Sequence, residues 1–415
     1  MHIFQEWKAV VESREVESRE NLIMEEEEGL HQHHLPHDLI SHHILTKLPI
    51  KSVLRFKSVS KLWYSTLSSS QFALTFSKLS SSFHPTSPIQ FLFIQNDYTY
   101  YLYSYDDDDE NITSYTSFKN LQELGSTDNK YILVGSCNGL ICLASSFGNF
   151  IILWNPVTGK SQEYLDHKLV IDSSRPFRVS WGFGYVSGVD DYKVIRIIEL
   201  GATLKFRVHV FSLKSNKWER IAHELYQDIF SLKCTSYERY EFNSNDFELW
   251  FPFSFQSIQG VLVNETLYWI VSKANDQGKQ VVSFDLVSDK FDTVVDLNLI
   301  SNFAYEDKFL CVMGGCLSKC GVNRYDDVFI NMFKCPGEVE TISVSRDLGL
   351  YFCQNCVGFT RTGKFFILLD NSILGLIDPS SDLMMYERLV NFDVSRNSHV
   401  ASYVPSLTLP YTVAE

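Results

Sequence analysis

The sequence predicts a small all-α module followed by an all-β propeller of six or seven blades. Three observations lead there. Residues 35–63 carry a helical apolar period broken by a proline, strand-like runs alternate with turn residues from about Gln90 onward, and one hairpin pattern recurs within that second region.

The helical segment reads LPHDLISHHILTKLPIKSVLRFKSVSKLW. Pro36 followed by Asp38 is a helix-start signal. Ile40, Ile44, Leu45 and Leu48 then fall on one face. Pro49 halts the helix, because an interior proline lacks the N–H and clashes with the preceding turn. Ser52 is placed to cap a second helix, whose Val53, Phe56, Val59 and Trp63 form another stripe. Helices this short cannot be held by burying their stripes against each other alone, so the surplus apolar surface calls for a partner.

Charge sharpens that expectation. The chain is acidic, with a net charge of −14, yet residues 39–96 contain no Asp or Glu. Lys47, Lys51, Arg55, Lys57, Lys61 and Lys78 stand in that window. A basic module on an acidic body suits docking to an acidic partner. Nucleic acid fits less well, since these lysines alternate with Leu, Val and Phe where groove-reading polar side chains are needed.

Residues 65–90 are serine-rich and contain Pro85 and Pro88, which reads as a helical tail and a connector. Strand-like runs follow: FLFIQ, YILVG, LICLA, FIILW, YKVIRII, FRVHVF, GVLVN, LYWIV, VVSFDL and FFILLD. A repeat joins them, seen in LWNPVTGK, VFSLKSNKW, SFDLVSDKF, FINMFKCPGE and LIDPSSDLM. Each ends an apolar strand on Asn155, Ser212, Asp285, Asn331 or Asp378, residues whose side chains can bond the backbone two positions on. Gly159, Asn216, Asp289 and Asp382, four residues later, tolerate the left-handed conformation that closes a hairpin. The last two anchor intervals, 46 and 47 residues, match one propeller blade, and the first two, 57 and 73, imply insertions. Units that bury their faces only against neighbours must form an array, and a radial one leaves few exposed edges. Two packed β-sandwiches are the competing arrangement.

Composition bounds the chemistry. Apolar residues make up 45% and charged residues 21%, ordinary for a globular protein. No apolar run reaches membrane-spanning length. The first residues mix acids and bases, unlike a secretory or transit peptide, so the nine cysteines are expected to be free thiols. Cys316, Cys320, Cys353 and Cys356 have a spacing that zinc sites can use, but small buried thiols in strands explain them as well. Six histidines within residues 31–43 decorate the polar side of the first helix. Asp106–Glu110 lacks the spacing of an EF-hand and reads as a solvated loop. RTGK near Lys364 lacks the glycines of a P-loop, and no nucleophile–base motif stands out. No cofactor or metal is expected.

The motif residues Leu35-Pro36, Asp38-Leu39, Ile44-Leu45, Leu48-Pro49, Ser52–Arg55 and Lys57–Lys61 before Trp63 resemble the F-box, in order and nearly complete. GSCNGLICL, WNPVTGK, GFGYVSGVDDYKVIRI, GVLVNETLYWIV and the ending ASYVPSLTLP look like the kelch-like F-box-associated region of plant F-box proteins. Paired kelch glycines are absent except Gly314-Gly315, and YDDVFINMF stands where that family usually has a Trp-containing strand. The resemblance implies an F-box over 31–80, a connector over 81–90 and a propeller over 91–410, preceded over 1–30 by a disordered or helical extension that matches nothing in the family. Because the F-box usually lies near a chain start, Met24 is an alternative initiation point.

The resemblance further implies a non-catalytic substrate receptor of a Skp–cullin–F-box (SCF) ubiquitin ligase, cytoplasmic or nuclear. Leu35, Pro36, Ile44, Leu45, Leu48, Pro49, Val53, Leu54, Val59 and Trp63 would meet the Skp adaptor or form the module's own core. The adaptor would bring the cullin, and the propeller would hold a protein substrate of unknown identity, with no nucleic acid or membrane involved. The irregularly spaced stretches 165–180 and 222–259 are candidates for substrate contact. The alternative is a propeller enzyme, such as a glycoside hydrolase with paired carboxylates in its channel and an appended adaptor motif.

Overall fold

A computed structural model describes residues 39–40, 44–48, 50–69, 71–73 and 75–76 of the helical segment. Beyond it the described residues are 89–96, 99–106, 109, 111–119, 131–145, 148–169, 177–200, 205–221, 259–272, 279–296, 309–322, 328–334, 338–344, 353–360, 362–369, 373–378, 387–391 and 398–411. The backbone divides into two compact units, Met1–Leu45 and Thr46–Glu415.

A 3-10 turn, Leu45–Lys47, precedes two helices, α1 (Ile50–Phe56) and α2 (Lys61–Leu67). Ser52 lies inside α1 and does not cap it, and the stripe expected from Val53 to Trp63 is cut in two. Ser60 makes the cut. Its backbone is extended (φ −158°, ψ 164°) and its Oγ accepts the Trp63 N–H at 3.1 Å, so the chain starts a fresh helix there. Ser58 Oγ donates to the Arg55 carbonyl at 2.7 Å and closes the end of α1. Phe56 and Trp63 bridge the break edge-to-face, with ring centroids 5.4 Å apart.

Six four-stranded antiparallel sheets follow among the described residues. The first contains β1 (Ile89–Asn96), β2 (Thr99–Asp106) and β3 (Asn111–Lys119). The second is β4 (Tyr131–Cys137), β5 (Leu140–Ser145), β6 (Phe150–Asn155) and β7 (Lys160–Leu165). The third is β8 (Phe177–Val186), β9 (Asp191–Leu200), β10 (Lys205–Ser212) and β11 (Lys217–Arg220). The fourth is β12 (Val261–Val263), β13 (Thr266–Ser272), β14 (Lys279–Asp285) and β15 (Lys290–Asp296). The fifth is β16 (Phe309–Met313), β17 (Cys316–Val322), β18 (Val328–Lys334) and β19 (Glu338–Val344). The sixth is β20 (Cys353–Phe359), β21 (Phe365–Leu369), β22 (Ile373–Ile377) and β23 (Glu387–Asn391). The last strand, β24 (Ser398–Tyr403), returns to the first sheet and pairs with β1 from Phe91↔Tyr403 to Asn96↔Ser398.

The leading strands β24, β4, β8, β12, β16 and β20 touch their neighbours in that order, and β20 returns to β24. The sheets are therefore blades of a closed six-bladed propeller and not two stacked sandwiches. Burial follows radial position. β5 and β6 are buried at every residue, whereas the outer strand β7 alternates between water and core. Between blades three and four, Trp269 is fully buried and donates its indole N–H to the Trp181 carbonyl at 3.2 Å.

Three of the five repeated hairpins close as the sequence indicates. Asn155 Oδ1 accepts the Val157 N–H at 3.0 Å, Asp285 Oδ1 accepts the Val287 N–H at 2.7 Å, and Ser212 Oγ accepts the Ser215 N–H at 3.1 Å. Gly159, Asn216 and Asp289 take positive φ of 70°, 53° and 54°. The fourth repeat differs: Asn331 lies mid-strand opposite Thr341, and the pairing runs on to Lys334↔Glu338. Blade five is fully paired, so YDDVFINMF supplies an ordinary third strand without tryptophan. Asp378 follows β22, but its turn and Asp382 lie outside the described residues.

After β24 the chain straps blade two. Asn155 Nδ2 donates to the Ser406 and Thr408 carbonyls, both at 2.9 Å. Ser406 Oγ donates to the Asn138 carbonyl at 2.6 Å, and Tyr164 OH donates to the Pro410 carbonyl at 2.8 Å. Gly139, at φ 78°, lies directly beneath: a Cβ there would sit 2.7 Å from the Ser406 backbone nitrogen. Gly159 has a similar φ of 70° and open space around it. Gly159→Ala is expected to cost about 1 kcal/mol from backbone strain alone, and Gly139→Ala about 3 kcal/mol because it also displaces the strap. Denaturant titration checks this, and equal losses would mean that the strap carries no stability.

Candidate functional site

Strand direction divides the ring into two faces. The first and second strands of a blade, and the third and fourth, join through short turns such as Asn138-Gly139, Asn264-Glu265 and Pro156–Gly159. All of these lie on one face. β1 begins on that face, since Ile89 pairs with Asp106 at the β2–β3 turn, so the chain enters the ring there from the helical module. The strand ends that flank 170–176 and 222–258 lie at the opposite, open face. Both segments fall in the stretches singled out for substrate contact and lie outside the described residues.

The helical module is one candidate surface. Leu45 and Val53 are buried; Ile44, Leu48, Leu54 and Trp63 are half-buried; and Val59 is 59% exposed. Leu35, Pro36 and Pro49 lie outside the described residues. Two further apolar side chains face water, Leu62 at 58% and Tyr64 at 57%. The continuous-helix reading missed them because the restart at Ser60 changes the phase of the second helix. Including Leu39, four of the eight exposed large apolar side chains among the described residues lie in this segment. Val59, Leu62 and Tyr64 are therefore the candidate docking residues of this segment. Lys47, Arg55 and Lys61 of the same segment are exposed.

The open-side rim of blades two and three is the other candidate. Arg196 of β9 is fully buried and donates to Asp166 Oδ2 at 2.5 Å and to the Gly148 carbonyl at 2.7 Å, gripping two connections of blade two. Its guanidinium lies 4.2 Å from the centre of the Trp218 ring. Burial draws the guanidinium below its usual range, and Asp166 works against that. His209 sits beside Arg196 across the β9–β10 ladder. Burial first, and then the charges of Arg196, Arg220 and Arg207, pull its imidazole down to about 4, opposed by Asp166. On the blade-four side, Glu199 is pushed up by burial while Arg178 favours its charged form.

Cys320 Sγ lies 3.3 Å from Cys311 Sγ, and the side chains of Cys353 and Cys356 lie outside the described residues. Cys137, Cys142, Cys311, Cys316 and Cys320 are free thiols. None of the six leading strands carries an Asp or Glu, so a carboxylate pair in the channel would have to come from the connections.

Comparison with known proteins adds sequence kinship. A family described as the F-box associated beta propeller domain matches residues 89–323, and the F-box domain family matches residues 33–75. An F-box/kelch-repeat protein of Arabidopsis thaliana is 26% identical over 266 residues, 62% of this chain and 64% of its own. The F-box protein CPR1 of the same plant is 26% identical over 317 residues, covering 72% of this chain and 68% of its own. A third Arabidopsis F-box protein is 32% identical over 173 residues, 40% of this chain and 37% of its own. The chain thus spans less than two thirds of the length of the first and third of these relatives.

The rim has a pH signature. In the unfolded chain His209 titrates near its ordinary value of 6.5, and in the fold near about 4. Between those values the unfolded state holds the extra proton, so stability falls as pH drops through the window and is fully present above it. In His209→Gln the melting temperature should decline less steeply from pH 6.5 to 4. Parallel curves for the two proteins would show that His209 is not held neutral. Arg196→Met, which strands Asp166 in the interface, should cost about 3–5 kcal/mol by denaturant titration.

Proposed function

The chain belongs to the F-box proteins whose F-box is followed by an F-box-associated β-propeller, and from that membership we propose that it is a substrate receptor of an SCF-type ubiquitin ligase. The F-box, residues 31–80, docks onto the acidic Skp adaptor and through it joins the cullin. Residues 81–90 connect it to the propeller of residues 91–410, and residues 1–30 form an extension. The propeller holds a protein substrate on its open face, away from the side on which the F-box enters. Work of this kind belongs to the cytoplasm or nucleus.

The observation that carries the reading is the exposed apolar group Val59, Leu62 and Tyr64 in a segment that is basic and free of acids. Burying about 100 Å² of apolar surface on a partner is worth about 2.5 kcal/mol, so leaving three such side chains in water calls for a docking partner. The lysines around them raise the rate of encounter with an acidic surface. On this reading the chain supplies no chemical step. It shortens the distance between substrate lysines and a charged conjugating enzyme, and proximity does the rest.

Capture of a purified Skp-type adaptor tests the docking half. Leu48→Asp with Pro49→Ala should abolish capture. Val59→Asp with Leu62→Asp should weaken it about tenfold or more, while the melting temperature stays unchanged because both side chains are exposed. Full capture by both double variants would remove the docking assignment.

A further inference from the structure

Blade five holds two sulfurs in contact. Cys311 Sγ lies 3.3 Å from Cys320 Sγ, and both residues are buried. Strand register explains the meeting. β16 and β17 pair from Phe309↔Cys320 to Met313↔Cys316, with Cys311 opposite Ser318. Side chains alternate along a strand, so Cys311 and Cys320 stand on one sheet face as diagonal neighbours. Leu310, Val312 and Leu317, at the alternate positions, pack into the interface with blade four. The two thiols therefore look toward blade six, whose innermost strand β20 touches both β16 and β17.

Their place along the strands also matters. The Gly314-Gly315 turn joins β16 to β17 on the entry face, so Phe309 and Val322 are strand ends at the open face. Cys311 and Cys320 each lie two residues from such an end. Strand ends open locally at far lower cost than strand middles, and opening of this short stretch uncovers both sulfurs to a small oxidant.

We propose that Cys311 and Cys320 are a redox-sensitive pair, which a peroxide converts into a disulfide tying the open-face ends of β16 and β17 together. One thiolate attacks a peroxide oxygen. The O–O bond breaks, leaving a sulfenic acid and a hydroxide that takes up a proton to become water. The second thiol then attacks the sulfenic sulfur, the S–O bond breaks, and another water leaves. The two thiols lose two electrons between them, and one peroxide is reduced to two waters. Contact between the sulfurs favours closure over further oxidation, because the resolving thiol already stands beside the sulfenic acid. Bringing the sulfurs from 3.3 Å to the bonding distance of about 2 Å takes a small shift shared by two side chains. Residues 297–308 and 323–327 adjoin the tied ends, so the bond sets how firmly blade five holds the base of its open-face connections. The device does not depend on the receptor assignment.

Treatment of the native full chain with hydrogen peroxide, then denaturation, alkylation with N-ethylmaleimide, trypsin cleavage and mass spectrometry, tests this. Cleavage after Lys308, Lys319 and Arg324 puts Cys311 and Cys316 on one peptide and Cys320 on the next. A disulfide-linked species of these two peptides should appear, fragmentation should place the bond on Cys311, and dithiothreitol should remove it. The species should persist in Cys316→Ser and vanish in Cys311→Ser. Backbone amides of Phe309–Val322 should exchange hydrogen about tenfold more slowly in the oxidised protein than in the reduced one. No linked species, a bond to Cys316 in its place, a bond formed only in denaturant, or unchanged exchange overturns the proposal.

Discussion

The structure depends on one pairing. β24, from the end of the chain, hydrogen-bonds to β1, from the start of the propeller, and completes the first blade as its innermost strand. Without it the first blade has three strands, and both β1 and the flank of blade six present open edges. Blades bury their faces only against neighbours, so each of the other five inherits its stability from closure. Loop closure over some three hundred residues costs only a slowly growing entropy, whereas the rows of backbone groups at two open edges are a standing liability. The strap that follows β24 extends the same lock. Asn155 illustrates how economical it is: its Oδ1 closes the β6–β7 hairpin while its Nδ2 holds Ser406 and Thr408.

Closure also gives the two faces different characters. On the entry face the turns are short, and several are fixed by an Asn, Asp or Ser side chain and a left-handed residue. Neighbouring blades are tied there as well, by Lys193 to Asp289 and by the Glu265 carboxylate accepting the Ser187 N–H at 2.8 Å. Connections on the open face range from hairpins such as Asn96↔Thr99 and Leu369↔Ile373 to the longer links between blades, and variable connections on a rigid frame are where recognition is built. Arg196 is the exception that serves both ends, a buried cation in the frame that grips two open-face connections of blade two.

What the sequence made legible follows the same radial logic. Of the ten apolar runs read as strands, eight are second or third strands of a blade and none is a fourth. Middle strands are buried on both faces and read as unbroken apolar runs, as LICLAS and FIILWN do. Outer strands such as KSQEYL are wet on one side and leave little signal. Hairpins that obey the Asx pattern were readable, and FINMFKCPGE misled because its Asn331 occupies a mid-strand position that the pattern does not distinguish from a turn. In the helical module the residue types were right and the phase was wrong. Ser60 is a cap there and not a helical residue, and that rotation brought Leu62 and Tyr64 to the surface.

The twenty-four strands among the described residues hold only eleven of the chain's fifty acids, but fourteen of its thirty-six basic residues, so most of the negative charge lies outside these strands. A frame close to neutral folds with little dependence on the charges of its connections, since exposed pairs contribute little. The connections can then change sign and length without threatening closure. Blade three departs from this neutrality within its strands, where side chains are held in fixed register. Charge placed there is therefore costly to move and steady in position.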